Sequence, residues 1–312
     1  MKDDVYPYDV QLYDRSYLNC YQRQGIVMLA EQVPDLPQFF YNCLVSSDSM
    51  LDHVVRDQIP KYAFQDGQFW DPDALARIGV TRQYLPFNTY AEAKQTILDA
   101  VADVGYAIPH IDVFYLPHCP EYYNQHVLHT ITLTGYDADS GHWSLLDDNR
   151  ASVLCRYSYP EAVIAAAFDN GVLRHVSWFP TGEYDAEEAG RGAAIAFAKN
   201  LENYQDSYVL LTGIGEIIDS PWVSPKRIMT LLYDVFSLYD GSRACFHEFV
   251  SSQPELSDAG SIVRDIVQRC RGIRNQLMIG KATGRVDKPR LQAACLDLKG
   301  AEEALVDRLR RP

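Results

Sequence analysis

A cysteine at the start of a helical pattern, a histidine opening one strand and an aspartate closing the next are the residues best placed for chemistry. Cys20 lies in "DRSYLNCYQRQGIVMLAEQ", residues 14–32. Ile26, Val27, Leu29, Ala30 and Val33 recur there near helical spacing, which predicts a helix from Asn19 to Gln32 with Gly25 its weak position. A thiol in the first turn meets unpaired amides and the positive end of the helix dipole, which lower its pKa from about 8.5. A cysteine nucleophile also needs a base within hydrogen-bond reach and a third group to orient that base. His129 and Asp147 supply these roles.

The histidine and the aspartate sit on "LHTITLTGYD" (128–137) and "HWSLLDDN" (142–149), two alternating β-prone runs joined by the turn signal "DADSG". If the strands pair across this turn, His129 and Asp147 fall close to direct opposition. His126 and His142 are rival bases. Alternation puts His129 with Ile131 and Leu133 on an inward face, whereas His126 precedes the strand. Asp147 and Asp148 point to opposite faces, so only one can meet the histidine. Asp147 is preferred, with Asp148 or Asn149 expected to cap the next turn.

Elements that must position this group are readable around it. "FFYNCLV" (39–45) reads as a short strand. "FWDPDALARIG" reads as a short helix between Pro72 and Gly79, and "VTRQYLPF" as a strand. "NTYAEAKQTILDAVADVG" carries a Thr89/Glu92 capping box and a closing Gly105. Further strands are expected at 107–116, 152–158 and, less regularly, 173–179. Past Tyr159 the windows are mostly helical. The expectation is an α+β chain with a catalytic domain over 1–159 and a mainly helical domain over 160–312. The helical domain is expected to keep water from an acyl intermediate.

Composition narrows the function classes. With 312 residues and 47% hydrophobic content the chain can bury a sizeable core. A net charge of −14 disfavours nucleic acid and anionic membranes, since neutralising phosphates needs clustered Lys and Arg. No apolar run is long enough to span a bilayer and the acidic N-terminus has no signal-peptide core, so the cytoplasm is expected. Seven cysteines, none in a C-x-x-C pair, argue against disulfides and structural zinc. His110, His118, His175 and His247 show no spacing that suggests a metal, and no H-E-x-x-H occurs. "TGIGE" reads as a turn and "GRGAAIAFA" as close helix packing. Tyr6, Tyr8, Tyr13, Tyr17 and Tyr21 read as an aromatic cover over the core. Taken singly, Cys20 would read as a small buried hydrophobe; its place at a helix start favours the nucleophile.

The motifs "NC" opening a helix, "DVFYLP" before an H-x-x-H, "HTITLTGYD" and "WSLLDDN" resemble the minimal bacterial papain-like fold, as in leader peptidases of bacteriocin exporters. Across the whole chain the pattern is similar to the family of butirosin biosynthesis protein H, a papain-like domain followed by a helical one. That resemblance implies acyl transfer in specialised, antibiotic-type metabolism. The donor would be a phosphopantetheine thioester on an acyl or peptidyl carrier protein, passing through acyl-Cys20 to a small amine. It assigns the nucleophile to Cys20, the base to His129 and the orienting carboxylate to Asp147, with no bound cofactor or metal. Papain-like enzymes place an oxyanion-hole glutamine six residues before the cysteine; here that residue is Asp14, which cannot donate when ionised. Asn19, Gln11 and Gln22 are then the donor candidates beside the Cys20 amide. A basic rim for an acidic carrier is sought at "SPKRIM" (224–229) and 269–285. The alternatives are a peptidase or amidase using the same residues with water, and a non-catalytic papain-like binding protein. The oligomeric state is left open, a homodimer included.

Overall fold

The computed structural model describes residues 4–64 and 69–311. Its fold is mixed α+β: two antiparallel sheets among helices. The helices are α1 Cys20–Gln32, α2 Ser47–Leu51, α3 Pro72–Arg77, α4 Tyr90–Val104, α5 Glu161–Asp169, α6 Ala186–Asn203, α7 Val209–Thr212, α8 Ile214–Ile218, α9 Pro225–Ser252, α10 Ser257–Thr283 and α11 Lys288–Leu309. The strands are β1 Gln83–Pro86, β2 Ile108–Asp112, β3 Leu128–Thr130, β4 Thr132–Asp137, β5 His142–Asp148, β6 Leu154–Pro160 and β7 His175–Trp178. Among the described residues, no helix is long and apolar enough to cross a membrane.

The chain divides into two compact units, and the division differs from the expected boundary after residue 159. Unit 1 is Met1–Pro34 with Trp70–Tyr184; unit 2 is Asp35–Phe69 with Asp185–Pro312. The physical reason is strand pairing. β7 lies between β1 and β2 in the order β1-β7-β2-β3, so a cut at residue 160 would take a central strand out of unit 1. The second sheet, β4-β5-β6, is also in unit 1, and a bridge between Ala107 and Leu133 links the two. Ile111, Ile131, Leu133, Trp143, Leu145 and Phe168 are fully buried in the core beneath. Trp143 satisfies its indole N–H by donating to the Tyr90 hydroxyl at 2.7 Å.

Several expected elements change form. The run 128–137 is not one strand: β3 pairs with β2 (Ile111 opposite His129) and β4 pairs with β5 (Thr132 opposite Leu146), with the partner changing at Ile131. A bulge between Leu133 and Gly135 shifts the β4–β5 register by one residue within the hairpin. The strand expected over 107–116 stops at Asp112, whose carboxylate accepts from the Phe114 amide and caps a short 3-10 turn. The turn "DADSG" forms as expected, with Asp137 accepting from the amides of Asp139 and Ser140. In α4, Thr89 caps Glu92 N–H, while the Glu92 carboxylate accepts from the Asn88 amide, one residue before the Thr89 amide a full capping box would use.

In unit 2 the run 39–45, expected as a strand, is instead a 3-10 helix over Leu36–Asn42. Pro37 starts it and removes a donor that a strand ladder would need. Phe39 and Phe40 are buried, and the 3-10 helix that carries them contacts α6 and α9. Reciprocal side-chain caps fix the next segment: Asp206 accepts from the Ser47 amide and hydroxyl, and Asp48 from those of Ser207. The long helices α9, α10 and α11 enclose the fully buried pair Arg243–Glu302.

Candidate functional site in unit 1

Cys20 occupies the first position of α1, as its spacing predicts. Asn19 is the N-cap: its Oδ1 accepts from the Gln22 amide at 2.9 Å, and Gln22 Oε1 accepts from the Asn19 amide at 2.9 Å. This reciprocal capping box fixes where the helix begins, so the Cys20 amide points out of the helix with no acceptor inside it. Gly25, a poor helix former, is required one turn on. A Cβ there would stand 2.8 Å from the Trp70 ring and 3.1 Å from Phe179.

Gln24 ties the helix to the strand that carries the base. Its Nε2 donates to the Thr130 carbonyl at 2.7 Å, with both groups buried. His129, one residue before, has its side chain nearly buried, and its Nε2 donates to Asp147 Oδ1 at 2.7 Å. That bond leaves Nδ1 as the ring nitrogen not engaged by Asp147, and the imidazole is near enough to Cys20 to act on its thiol by charge. The order is therefore sulfur, imidazole, carboxylate, drawn from α1, β3 and β5.

Charge in this cluster follows from its geometry. Burial alone would push the Cys20 thiol up; the His129 imidazolium, helped by Arg15, pulls it down to about 6. Burial would lower His129, but the carboxylate of Asp147 and the thiolate raise it to about 10. Asp147 is fully buried, which favours its neutral form, and the two histidines reverse this and hold it at about 2. At neutral pH the three residues are thiolate, imidazolium and carboxylate.

Asp147 has a second imidazole partner that spacing did not reveal. His118 Nε2 lies 2.8 Å from Oδ2, and its Nδ1 lies 3.0 Å from the Tyr159 hydroxyl. The ring is stacked on Tyr157 with centroids 4.0 Å apart. Cys119 Sγ stands 3.5 Å from His118 Nε2 and 3.9 Å from Asp147 Oδ2. Burial and the Asp147 charge push this second thiol well above its usual range, so Cys119 is the inert member of the pair.

The other sequence candidates fall elsewhere. His126 stacks on Phe114 and bonds Asp112 at 2.6 Å, and His142 bonds the Ser140 carbonyl on the hairpin turn; neither reaches Asp147. Asp148 does not cap the following turn. It forms ion pairs with Arg15 at 3.1 Å and with the buried Arg23, pinning α1 and the segment before it to β5. Asn149 does cap that turn, accepting from the amides of Ala151 and Val153. Among the oxyanion candidates, Asn19 and Gln22 flank Cys20 and use their carbonyl oxygens in the capping box, whereas their NH2 groups are the ends that could donate; Gln11 is exposed on the turn closed by Asp9. Asp14 accepts from the Ser16 amide and hydroxyl, which occupies its charge locally. The basic stretch 269–285 in unit 2 is largely committed to ion pairs: Arg269 with Asp265 and Asp297, Arg271 and Arg274 with Asp240. Compared with known protein families and with curated proteins, the chain matches none: no family model fits it and no curated protein aligns with it.

Proposed function

We propose that the protein is a cysteine-dependent acyltransferase of papain-like type. The observation that carries this reading is geometric: the nearly buried His129 is held by its 2.7 Å bond to the buried Asp147 carboxylate, on the strand that Gln24 ties to the helix begun by Cys20. The direction of the Cys20 shift, lowered by the His129 charge against burial, agrees with a nucleophile. The Cys20 thiolate attacks a thioester carbonyl. The tetrahedral intermediate collapses to acyl-Cys20, and the departing thiolate of the phosphopantetheine arm takes the proton from His129. An amine then attacks acyl-Cys20 and gives its proton to neutral His129. Collapse expels the Cys20 thiolate beside the reformed imidazolium, with an amide as product. Asp147 keeps the ring oriented and its charge stabilised throughout. The outward amide of Cys20 is the oxyanion donor this site offers. Thioester exchange is close to isoenergetic and aminolysis runs downhill, so these steps need no nucleotide. The donor is a carrier-bound acyl or aminoacyl group and the acceptor a small amine.

Intact-protein mass spectrometry after brief incubation with aminoacyl thioesters tests the reading. The native chain should gain one acyl mass that amines discharge faster than water, and Cys20→Ala should gain none. Discharge by water alone, unaffected by amines, would make the protein a hydrolase. Absence of any adduct, with Cys20 alkylating no faster than free cysteine, would make it a binding protein.

A further inference from the structure

We propose that His118, Cys119 and Asp147 form a zinc site whose occupancy inhibits Cys20. The three side chains offer a nitrogen, a sulfur and an oxygen, a ligand set suited to Zn2+. The three ligand atoms lie within 4.8 Å of one another. Around a tetrahedral zinc, sulfur stands about 3.6 Å from a nitrogen or oxygen ligand, given the usual bond lengths. Cys119 Sγ is already 3.5 Å from His118 Nε2 and 3.9 Å from Asp147 Oδ2. Only the Nε2 to Oδ2 separation, 2.8 Å as a hydrogen bond, must widen, by about half an ångström. Three protein ligands leave the fourth position to water.

The surroundings fit that use of His118. Coordination through Nε2 requires the tautomer protonated on Nδ1, and the Tyr159 hydroxyl oxygen lies 3.0 Å from Nδ1, where it can accept that proton's bond. Stacking on Tyr157 fixes the ring plane. The proton balance is simple: the His118 proton moves from Nε2 to Nδ1, and the Cys119 thiol releases one proton to solvent as the Zn–S bond forms. Asp147 is shared. Zinc on Oδ2 would move the carboxylate whose Oδ1 orients the His129 ring at 2.7 Å, so occupancy disturbs the geometry that aims the imidazole at Cys20. The inhibition rests on the acyl-transfer reading; the metal binding does not.

The test is titration of the full chain with Co2+ as a spectroscopic probe under reducing conditions, followed by displacement with Zn2+. Native protein and Cys20→Ala should each bind one equivalent, with tetrahedral visible bands and a sulfur-to-cobalt charge-transfer band. Cys119→Ser and His118→Gln, checked for folding by circular dichroism, should bind more than about tenfold more weakly, and Cys119→Ser should lose the charge-transfer band. No stoichiometric binding, a band that survives Cys119→Ser, or one that disappears in Cys20→Ala would overturn the site. Acyl-adduct formation by the native chain should fall on adding Zn2+ and recover with a chelator, while Cys119→Ser should resist. Metal binding on the predicted residues without acyl transfer in either metal state would sink the proposed function and leave the zinc site standing.

Discussion

Unit 2 buries Arg243 against Glu302, and unit 1 buries Asp147 against His129 and His118. Both clusters hold charge away from water, yet they differ in what a proton can do. The Arg243 guanidinium reaches Glu302 through two bonds of 2.8 and 3.1 Å, packs over the Tyr239 ring, and has its pKa raised further by Glu302 against the pull of burial. An arginine does not give up its proton, so this pair has one state and can only hold helices together. The unit 1 cluster consists of groups that do exchange protons and ends in a sulfur on a partly exposed residue. The same desolvation that makes one pair a fixed strut makes the other a poised acid and base. A buried charge is a functional signal only where its partners titrate.

The sharpest way to break this comparison is Cys20→Ala. It should cut acyl transfer at least about a thousandfold, read as adduct formation, without changing stability greatly. Arg243→Met should do the reverse. It leaves Glu302 uncompensated and should cost about 3–5 kcal/mol in chemical denaturation, with most of that recovered by adding Glu302→Leu. A single variant as stable as the double would show that the pair is not coupled. Next in size is the titration of Cys20, followed by mass spectrometry of its alkylated peptide. Because its pKa is lowered, the thiolate persists above the shifted value and is lost below it, so reactivity should fall with a midpoint near 6 as pH drops. His129→Ala removes the cation and leaves burial, so the midpoint should rise past about 8.5 and reactivity at pH 7 should drop about thirtyfold. A native midpoint at the ordinary value would erase the distinction between the two clusters. The smallest effect is Gly25→Ala. Helix propensity gains about 1 kcal/mol, while the clash with Trp70 and Phe179 costs more, for a net loss of about 1–2 kcal/mol in thermal or chemical unfolding.

Local signals in the sequence reached the helix start at Cys20 and the β4–β5 hairpin, because caps, turns and alternation act over a few residues; His129 meets Asp147 as expected, but from β3, which pairs with β2 and not across the hairpin. His118 stayed hidden because it lies in an irregular connection, where no periodicity says which way a side chain points. Arg23 and Gln24 are buried because α1 is enclosed from Gln22 to Leu29, which no local pattern states. Asp148 looked like a turn cap because its partners, Arg15 and Arg23, are far away in sequence. The strand expected at 39–45 failed for a related reason: its aromatic content suits a pleated surface, but a strand needs a neighbour, and tertiary packing supplied helices instead.

The excursion of Asp35–Phe69 into unit 2 has a consequence for synthesis. During translation Phe39 and Phe40 emerge roughly 150 residues before α6, the first long helix of the unit that buries them. At about 5–20 residues per second those side chains stay uncovered for roughly 7–30 seconds. Unit 1 meanwhile can close its sheets once β7 is made, with the excursion left as a loop hanging from it. The ribosome thus delivers a finished fold carrying an unfinished piece of another. During that interval the nascent chain is most exposed to chaperones and proteases, and no single cut in the gene would release either fold whole.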